Sequence, residues 1–557
     1  MLVYGDRGRC EDPRDMLARL SAMRSRLAGA PAGLARQAAL AGLLIEAGAL
    51  LQGIADAERA GRGVDDASPA QEAVAALLLG LARALHAAWH GAAAPLPEIP
   101  RLPDLPERVE TRLAEGFAFY ALYPETYALA AAASGLPPAT RVLGLRSIGA
   151  PLGAMVAAGL GAAAPVTLRP VGHPFRRELA VAPDLAARLA GDAPVAVVDE
   201  GPGLSGSSFG ATADWLEARG VPPGRIAFFP SHGNPPGAMA DPRHRARWEG
   251  AARHCYAFEA AVQPRLADWA ADLVGPAEGP LQDVSGGAWR GRRQAVGADW
   301  PPAHPAQERR KYLLPAGGRT WLLKFAGLGA EGERKAERAR RLAEAGFAPP
   351  VAGWRHGFLV QRWLVEARPL DPAQTDRDRL AARVGAYLEF RAHAFPAAPD
   401  RGAGPAELHA MARHNTAAAL GEDAARGLDR WTPGELATLA RRARPVETDN
   451  RLQAWEWLLL PDGRLLKADA VDHHAAHDLI GCQDIAWDVA GAMVELGIRP
   501  EVEADPALLE FLLPCYCAFQ LGAWSMALDA APDAAEAARL RGTVDRYAAR
   551  LREALGR

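Results

Sequence analysis

One segment constrains the fold more than any other: APVAVVDEGPGLSGSSFGATADWLEARG, residues 193–220. Its apolar run, Val195–Val198, reads as a buried strand that ends on two adjacent acids, Asp199 and Glu200. A Gly/Ser turn follows and opens a helix near Ser208. Similar short apolar runs stand at 141–147 (RVLGLRS), 165–171 (PVTLRPV) and 225–231 (RIAFFPS), with helical stretches between them. Strands alternating with helices predict an α/β unit with a doubly wound parallel sheet. Ligands of such sheets bind beyond the carboxyl ends of the strands, where Asp199 and Glu200 fall.

A chain of 557 residues exceeds what one hydrophobic core supports. The pattern divides it into a helical accessory module (1–92), a Pro-rich linker (93–107), the α/β unit (108–275), a short linker (276–284) and a C-terminal unit (285–557). The last gives strands first and helices afterwards, a two-lobed α+β order. With 49% apolar and 23% charged residues the composition is that of a soluble globular protein. A net charge of -3 gives no general attraction to nucleic acid or anionic membrane, so small-molecule substrates are the expected partners. The uncharged stretch between Arg146 and Arg169 is Gly/Ala-rich and broken by Pro151 and Pro165, which argues against a membrane span. The amino terminus lacks the apolar core of a signal peptide. Cys10, Cys255, Cys482, Cys515 and Cys517 show no metal-ligand spacing, and a reducing cytoplasm fits them.

The 199–208 turn has the chemistry to grip a sugar phosphate. Backbone amides at Gly206, the helix start and the hydroxyls of Ser205, Ser207 and Ser208 suit a phosphate dianion. Asp199 and Glu200 suit the two hydroxyls of a ribose, or a magnesium ion bridging it. This arrangement resembles the PRPP-binding motif of type I phosphoribosyltransferases. It departs in having Glu as second acid, a spacer one residue longer, and Ser207 where Gly is common. The resemblance implies a pyrophosphate loop at Arg146, Ser147 and Gly149. It also implies a mobile basic loop carrying Arg169, His173, Arg176 and Arg177, with Asp199 and Glu200 as the catalytic acids.

In the C-terminal unit, Lys324 stands on a strand after a Gly-containing turn, and Glu333 and Glu337 follow on a helix. The segment FLVQRWL (358–364) reads as the strand and hinge meeting an adenine. Asp449 opens a later stretch, a hairpin turns at 461–463, and Asp469 ends its second strand. The layout resembles aminoglycoside/choline-kinase-like phosphotransferases. The resemblance implies ATP held by Lys324 paired with Glu337, Asp449 as catalytic residue, magnesium on Asp469, and Asp484 and Asp488 pinning the catalytic loop. Glu447-Thr448-Asp449 stands where that family has His-Gly-Asp, and Ala454 replaces its metal-binding Asn. Glu456 is the substitute magnesium ligand read here, with Asn450 as another. No Gly-rich phosphate loop of the protein-kinase type is evident. His473, His474 and His477, with Asp472 and Asp478, resemble HHxxH but lack the hydrolase Glu, so a magnesium-proximal cluster is read in preference to zinc.

Together these features imply a bifunctional enzyme using PRPP at one site and ATP at the other, with Mg2+ at both. The alternative is a nucleotide- or PRPP-sensing protein whose two units bind without turnover.

Overall fold

The apolar runs lie side by side in the computed structural model, which describes residues 1–5, 8–293, 300–475 and 478–556. Arg141–Leu145 sits between Val166–Leu168 and Val195–Val198, and Ile226–Phe229 and Ala252–Arg253 extend the sheet. Every pairing is parallel. Strand order therefore reverses between Arg141–Leu145 and Val195–Val198, and the crevice at such a switch point is where ligands bind. The run 195–198 is apolar throughout because both sheet faces are covered. Ala196 and Val198 pack into a core shared with the N-terminal helices, while Val195 and Val197 meet Phe209, Trp215 and Leu216 on the other face.

The N-terminal helices Pro13–Ala28, Leu34–Arg62 and Pro69–Trp89 do not form a separate bundle. Leu34–Arg62 crosses two other helices through bare backbone. A Cβ on Gly48 would lie 2.7 Å from Pro151 Cδ in the helix Gly149–Leu160. One on Gly42 would lie 3.2 Å from Gly329 Cα at the start of Gly329–Glu344. The Pro-rich 93–107 segment is strapped onto the same helices, with Pro97 O accepting from Arg24 Nε at 2.7 Å. Leu34–Arg62, Pro69–Trp89 and Pro506–Asp529 are long and apolar enough to cross a bilayer, yet 78%, 56% and 78% of their apolar windows are buried within the protein.

Beyond residue 276 an antiparallel sheet forms in the order Gln282–Asp283, Lys311–Ala316, Arg319–Phe325, Phe358–Arg362, Val351–Arg355. Gly317 and Gly318, at φ 58° and 65°, close the central hairpin with the left-handed backbone that a two-residue turn demands. Residues 282–283 thus add an edge strand where a plain linker was expected. Tyr312, Leu323 and Phe358 of this sheet share one continuous core with the parallel sheet and the N-terminal helices. A second core lies among the C-terminal helices, including Arg377–Ala394, Ala486–Leu496 and Pro506–Asp529. The hairpin Trp457–Leu459/Leu465–Lys467 lies beside the cleft between sheet and helices.

Candidate functional site

Asp199 and Glu200 emerge half-buried from Val195–Val198 onto a cleft of about 760 Å3, also lined by Ser205, Ser208, Ser231 and Tyr256. Asp199 Oδ1 accepts from the Glu200 amide at 2.8 Å. Burial pushes the Asp199 carboxyl up to about 7. Burial, with repulsion from Asp199 and Glu115, pushes Glu200 up to about 8. Because these folded values lie above the ordinary 3.8 and 4.5, the stability contributed by the protonated pair is complete below about pH 4 and is lost as pH rises through 7–8. Urea melts across pH 4–9 are expected to show that loss in the wild type and a flatter profile in Asp199→Asn/Glu200→Gln. Identical profiles would contradict the burial of both acids.

The phosphate turn is only partly available. Gly206, at φ 59°, starts the helix Ser207–Glu217, but its amide donates to Pro202 O at 3.0 Å. Ser207 is buried, and its hydroxyl donates to Pro174 O of the basic hairpin at 2.5 Å. Gly206 therefore acts in the loop's own structure and Ser207 ties that loop to the basic hairpin, leaving Ser205 and Ser208 on the cleft.

The expected pyrophosphate arginines already have anionic partners. Arg146 is buried; its Nε donates to Asp56 Oδ1 at 2.9 Å, its Nη1 to Thr167 O at 3.0 Å, and its Nη2 pairs with Asp65. Arg169 donates through Nε to Asp56 Oδ1 at 3.0 Å and through its amide to Asp65 Oδ2 at 2.8 Å. Burial opposes ionisation of Asp56, yet Arg169 and Arg146 hold its carboxyl below the usual range. Two carboxylates from the N-terminal helical region thus take the hydrogen bonds expected for a diphosphate. Ser147 Oγ accepts from Arg169 Nη2 at 3.3 Å. Gly149 has a packing role: a Cβ there would lie 2.7 Å from Val198 O. Arg176 and Arg177 sit on the hairpin Val171–His173/Arg176–Glu178 and do not line the cleft; Arg177 donates to Gly172 O at 2.8 Å.

In the second cleft, Lys324 is buried, with Nζ 2.7 and 2.6 Å from the two oxygens of Asp469 and 3.3 Å from Asp472 Oδ1. Glu337 is not its partner. The helix Gly329–Glu344 buries Gly332, Lys335, Arg338, Ala339 and Leu342, so Glu337 falls on the opposite face, 55% exposed, paired with Arg340 at 2.6 Å. Glu333 is exposed as well. The inward positions are cationic. Lys335 Nζ donates to Ala118 O at 3.0 Å and stands 3.7 Å from Asp472 Oδ2. Burial, with Arg309 and Lys324 nearby, lowers its ammonium to about 8 despite Asp472. Lys324 and Lys335, overcoming burial, hold Asp472 far below the carboxylate range.

Asp449 is fully covered. Tyr387 OH donates to its Oδ2 at 2.6 Å, Lys467 Nζ lies 3.2 Å away, and His473 Nδ1 is 3.2 Å from Oδ1. The amides of Asp449 and Asn450 donate to Asp488 at 2.7 and 2.9 Å, and burial beside Asp449 raises the Asp488 carboxyl to about 6. Asp484 accepts from the Arg444 amide at 2.8 Å. His473 faces the cleft between Asp449 and Asp469, with Nε2 3.8 Å from Asp469 Oδ2. The catalytic role read for Asp449 therefore meets His473 standing in front of it. Trp363, after the strand Phe358–Arg362, lines the cleft with the Arg293 guanidinium 3.6 Å from its ring centre.

Asp469, Asp472 and His473 bring ligand atoms within 4.8 Å of one another. Asn450 Oδ1, at the cleft, is buried with no hydrogen-bond partner. Hard oxygen donors of this kind fit magnesium. Glu456 lines the cleft but is not in this group, because it leaves the 3-10 turn Ala454–Glu456 rather than the strand end that carries Asp469. His473 and His474 lie in the 3-10 turn His473–Ala475, and buried His474 meets Thr448 O at 3.1 Å. His477 lies outside the described residues. Sequence reading missed Arg309, Lys335, Tyr387 and Lys467. The helical phase of Gly332, Lys335 and Ala339 was the signal for Lys335; Arg309 had none.

No family model matches the chain, and no curated protein matches it. Solved structures that it resembles include small-molecule kinases. Choline kinase LicA from Streptococcus pneumoniae is 14% identical, over 43% of this chain and 89% of that one, with a TM-score of 0.31. Aminoglycoside phosphotransferase APH(4)-Ia, as a thermostable mutant with AMP-PNP and hygromycin B, is 14% identical over 51% and 98%, at 0.30. Spectinomycin phosphotransferase APH(9)-Ia, with ADP and spectinomycin, is 11% identical over 52% and 98%, at 0.32. At such scores these likenesses carry no weight for activity or substrate.

Proposed function

We propose that the cleft between the antiparallel sheet and the C-terminal helices binds ATP and transfers a phosphoryl group to a small-molecule hydroxyl. The observation that carries this reading is the buried Lys324 on Asp469 and Asp472, beside an Asp449 loop tied down by Asp488. In phosphoryl transfer the protein mainly positions the reactants and stabilises charge. Lys324 supplies charge for the phosphates, and Asp449 orients His473 toward the acceptor side. Asp469 and Asp472 would hold magnesium, which supplies neutralisation of the phosphate oxygens when bound. Cytoplasmic localisation goes with this reading.

We propose further that the sheet-edge cleft binds a phosphorylated ribose, PRPP or a nucleotide, through Asp199, Glu200, Ser205 and Ser208. The hold of Asp56 and Asp65 on Arg146 and Arg169 favours sensing over phosphoribosyl transfer, because these two cations are already committed to carboxylates rather than offered to a leaving diphosphate. Calorimetry on the full chain is expected to show separate binding of magnesium-ATP and PRPP, and Asp199→Ala/Glu200→Ala is expected to remove only the second. Loss of both ligands together would contradict separate sites. Release of pyrophosphate from PRPP would overturn the sensing assignment.

A further inference from the structure

We propose that Arg309 is a ligand of the nucleotide's phosphates, supplying side-chain donors where protein kinases use the backbone amides of a Gly-rich loop. This rests on the nucleotide reading of the second cleft. Arg309 precedes the strand Lys311–Ala316 and lines that cleft together with Lys324 and Asp469. Its side chain is 7% exposed, yet Nε and Nη1 have no hydrogen-bond partner. The acid beside it, Asp472, has Oδ2 3.5 Å from Nε, too far for a good hydrogen bond; its Oδ1 takes Lys324, and its Oδ2, 3.7 Å from Lys335, makes no hydrogen bond either. Three buried cations, Arg309, Lys324 and Lys335, thus face two carboxylates, Asp469 and Asp472.

Guanidinium donors left unbonded out of water are unfavourable, and a group held that way at a cleft wall lacks an anion to complete it. A polyphosphate fits both needs. Its oxygens match the planar fork of arginine, and its charge offsets the cationic surplus. The ring of Phe119 lies 5.0 Å from Arg309 Cζ and 4.6 Å from Lys335 Nζ, so one aromatic ring braces both side chains. Arg310, the next residue, lines the sheet-edge cleft instead, which makes it an internal control.

The test is calorimetry on the full chain with magnesium-ATP and, separately, adenosine. Arg309→Gln is expected to weaken ATP binding by about 10- to 100-fold, in line with loss of a hydrogen bond to a charged group, with adenosine unaffected. Arg310→Ala is expected to leave ATP affinity unchanged. An Arg309→Gln protein binding ATP within about twofold of wild type would overturn the proposal, as would equal losses for ATP and adenosine. If that variant does not fold, Arg309→Lys keeps the charge and removes the fork; weakened ATP binding supports the assignment and wild-type affinity overturns it. A wild-type protein that binds no ATP sinks the nucleotide reading itself, and this proposal with it.

Discussion

Replacing Lys324 by methionine is expected to lower ATP-dependent phosphoryl transfer by about 10²–10³-fold, the usual loss when a preorganised charge-stabilising donor is removed. The size follows from burial, since Lys324 is 3% exposed and its charge acts in a site largely screened from water. Single-turnover assays with labelled ATP and a metabolite pool measure it. A variant retaining more than about a tenth of wild-type turnover would remove Lys324 from the mechanism. The same change alters stability in a definite direction with pH. Lys324, working against burial, holds Asp469 and Asp472 below their ordinary range. Depressed carboxylates contribute stability above the unfolded pKa of 3.8 that is lost as pH falls through the lower folded values. With methionine in place, part of that contribution is missing at neutral pH, and the acid-side loss in urea melts becomes smaller. Added magnesium is expected to restore part of the missing stability by taking the place of the ammonium between the two acids.

Asp65→Asn is expected to destabilise the protein by about 1–3 kcal/mol, the cost of losing a buried charge-assisted hydrogen bond while Asp56 stays on Arg146. Asp65 and Arg146 are each 1% exposed, and Asp65 also accepts from the Arg169 amide. Its backbone bridges to 180–182, with its amide donating to Ala180 O and its carbonyl accepting from the Ala182 amide, both at 2.8 Å. The side chain and backbone of one residue therefore fasten the N-terminal helices to the α/β unit. Urea unfolding provides the measurement, with exposed Asp192→Asn as a control expected to shift stability by under about 0.5 kcal/mol. A similarly small effect at Asp65 would mean that Asp56 and Thr167 hold Arg146 without it, and that Asp65 does not fasten the two parts.

Much of the architecture was legible because it rests on local pattern. The run 195–198, the acids after it, the Gly317–Gly318 hairpin and the strand position of Lys324 follow from apolar periodicity and turn chemistry, while Asp469 falls two residues past the strand Leu465–Lys467 that it was expected to end. Which partner each charge takes was not legible. Arg146 meets Asp56 and Asp65 across 90 and 81 residues of sequence, and Lys324 meets Asp469 across 145. Glu337 seemed suited to Lys324 by spacing, but the phase of its helix turned Lys335 inward. Local residue preferences set where a side chain sits along an element and which face it occupies. Its ionic partner depends on which elements pack together, because Coulomb attraction and desolvation act on distance in space and are blind to distance along the chain.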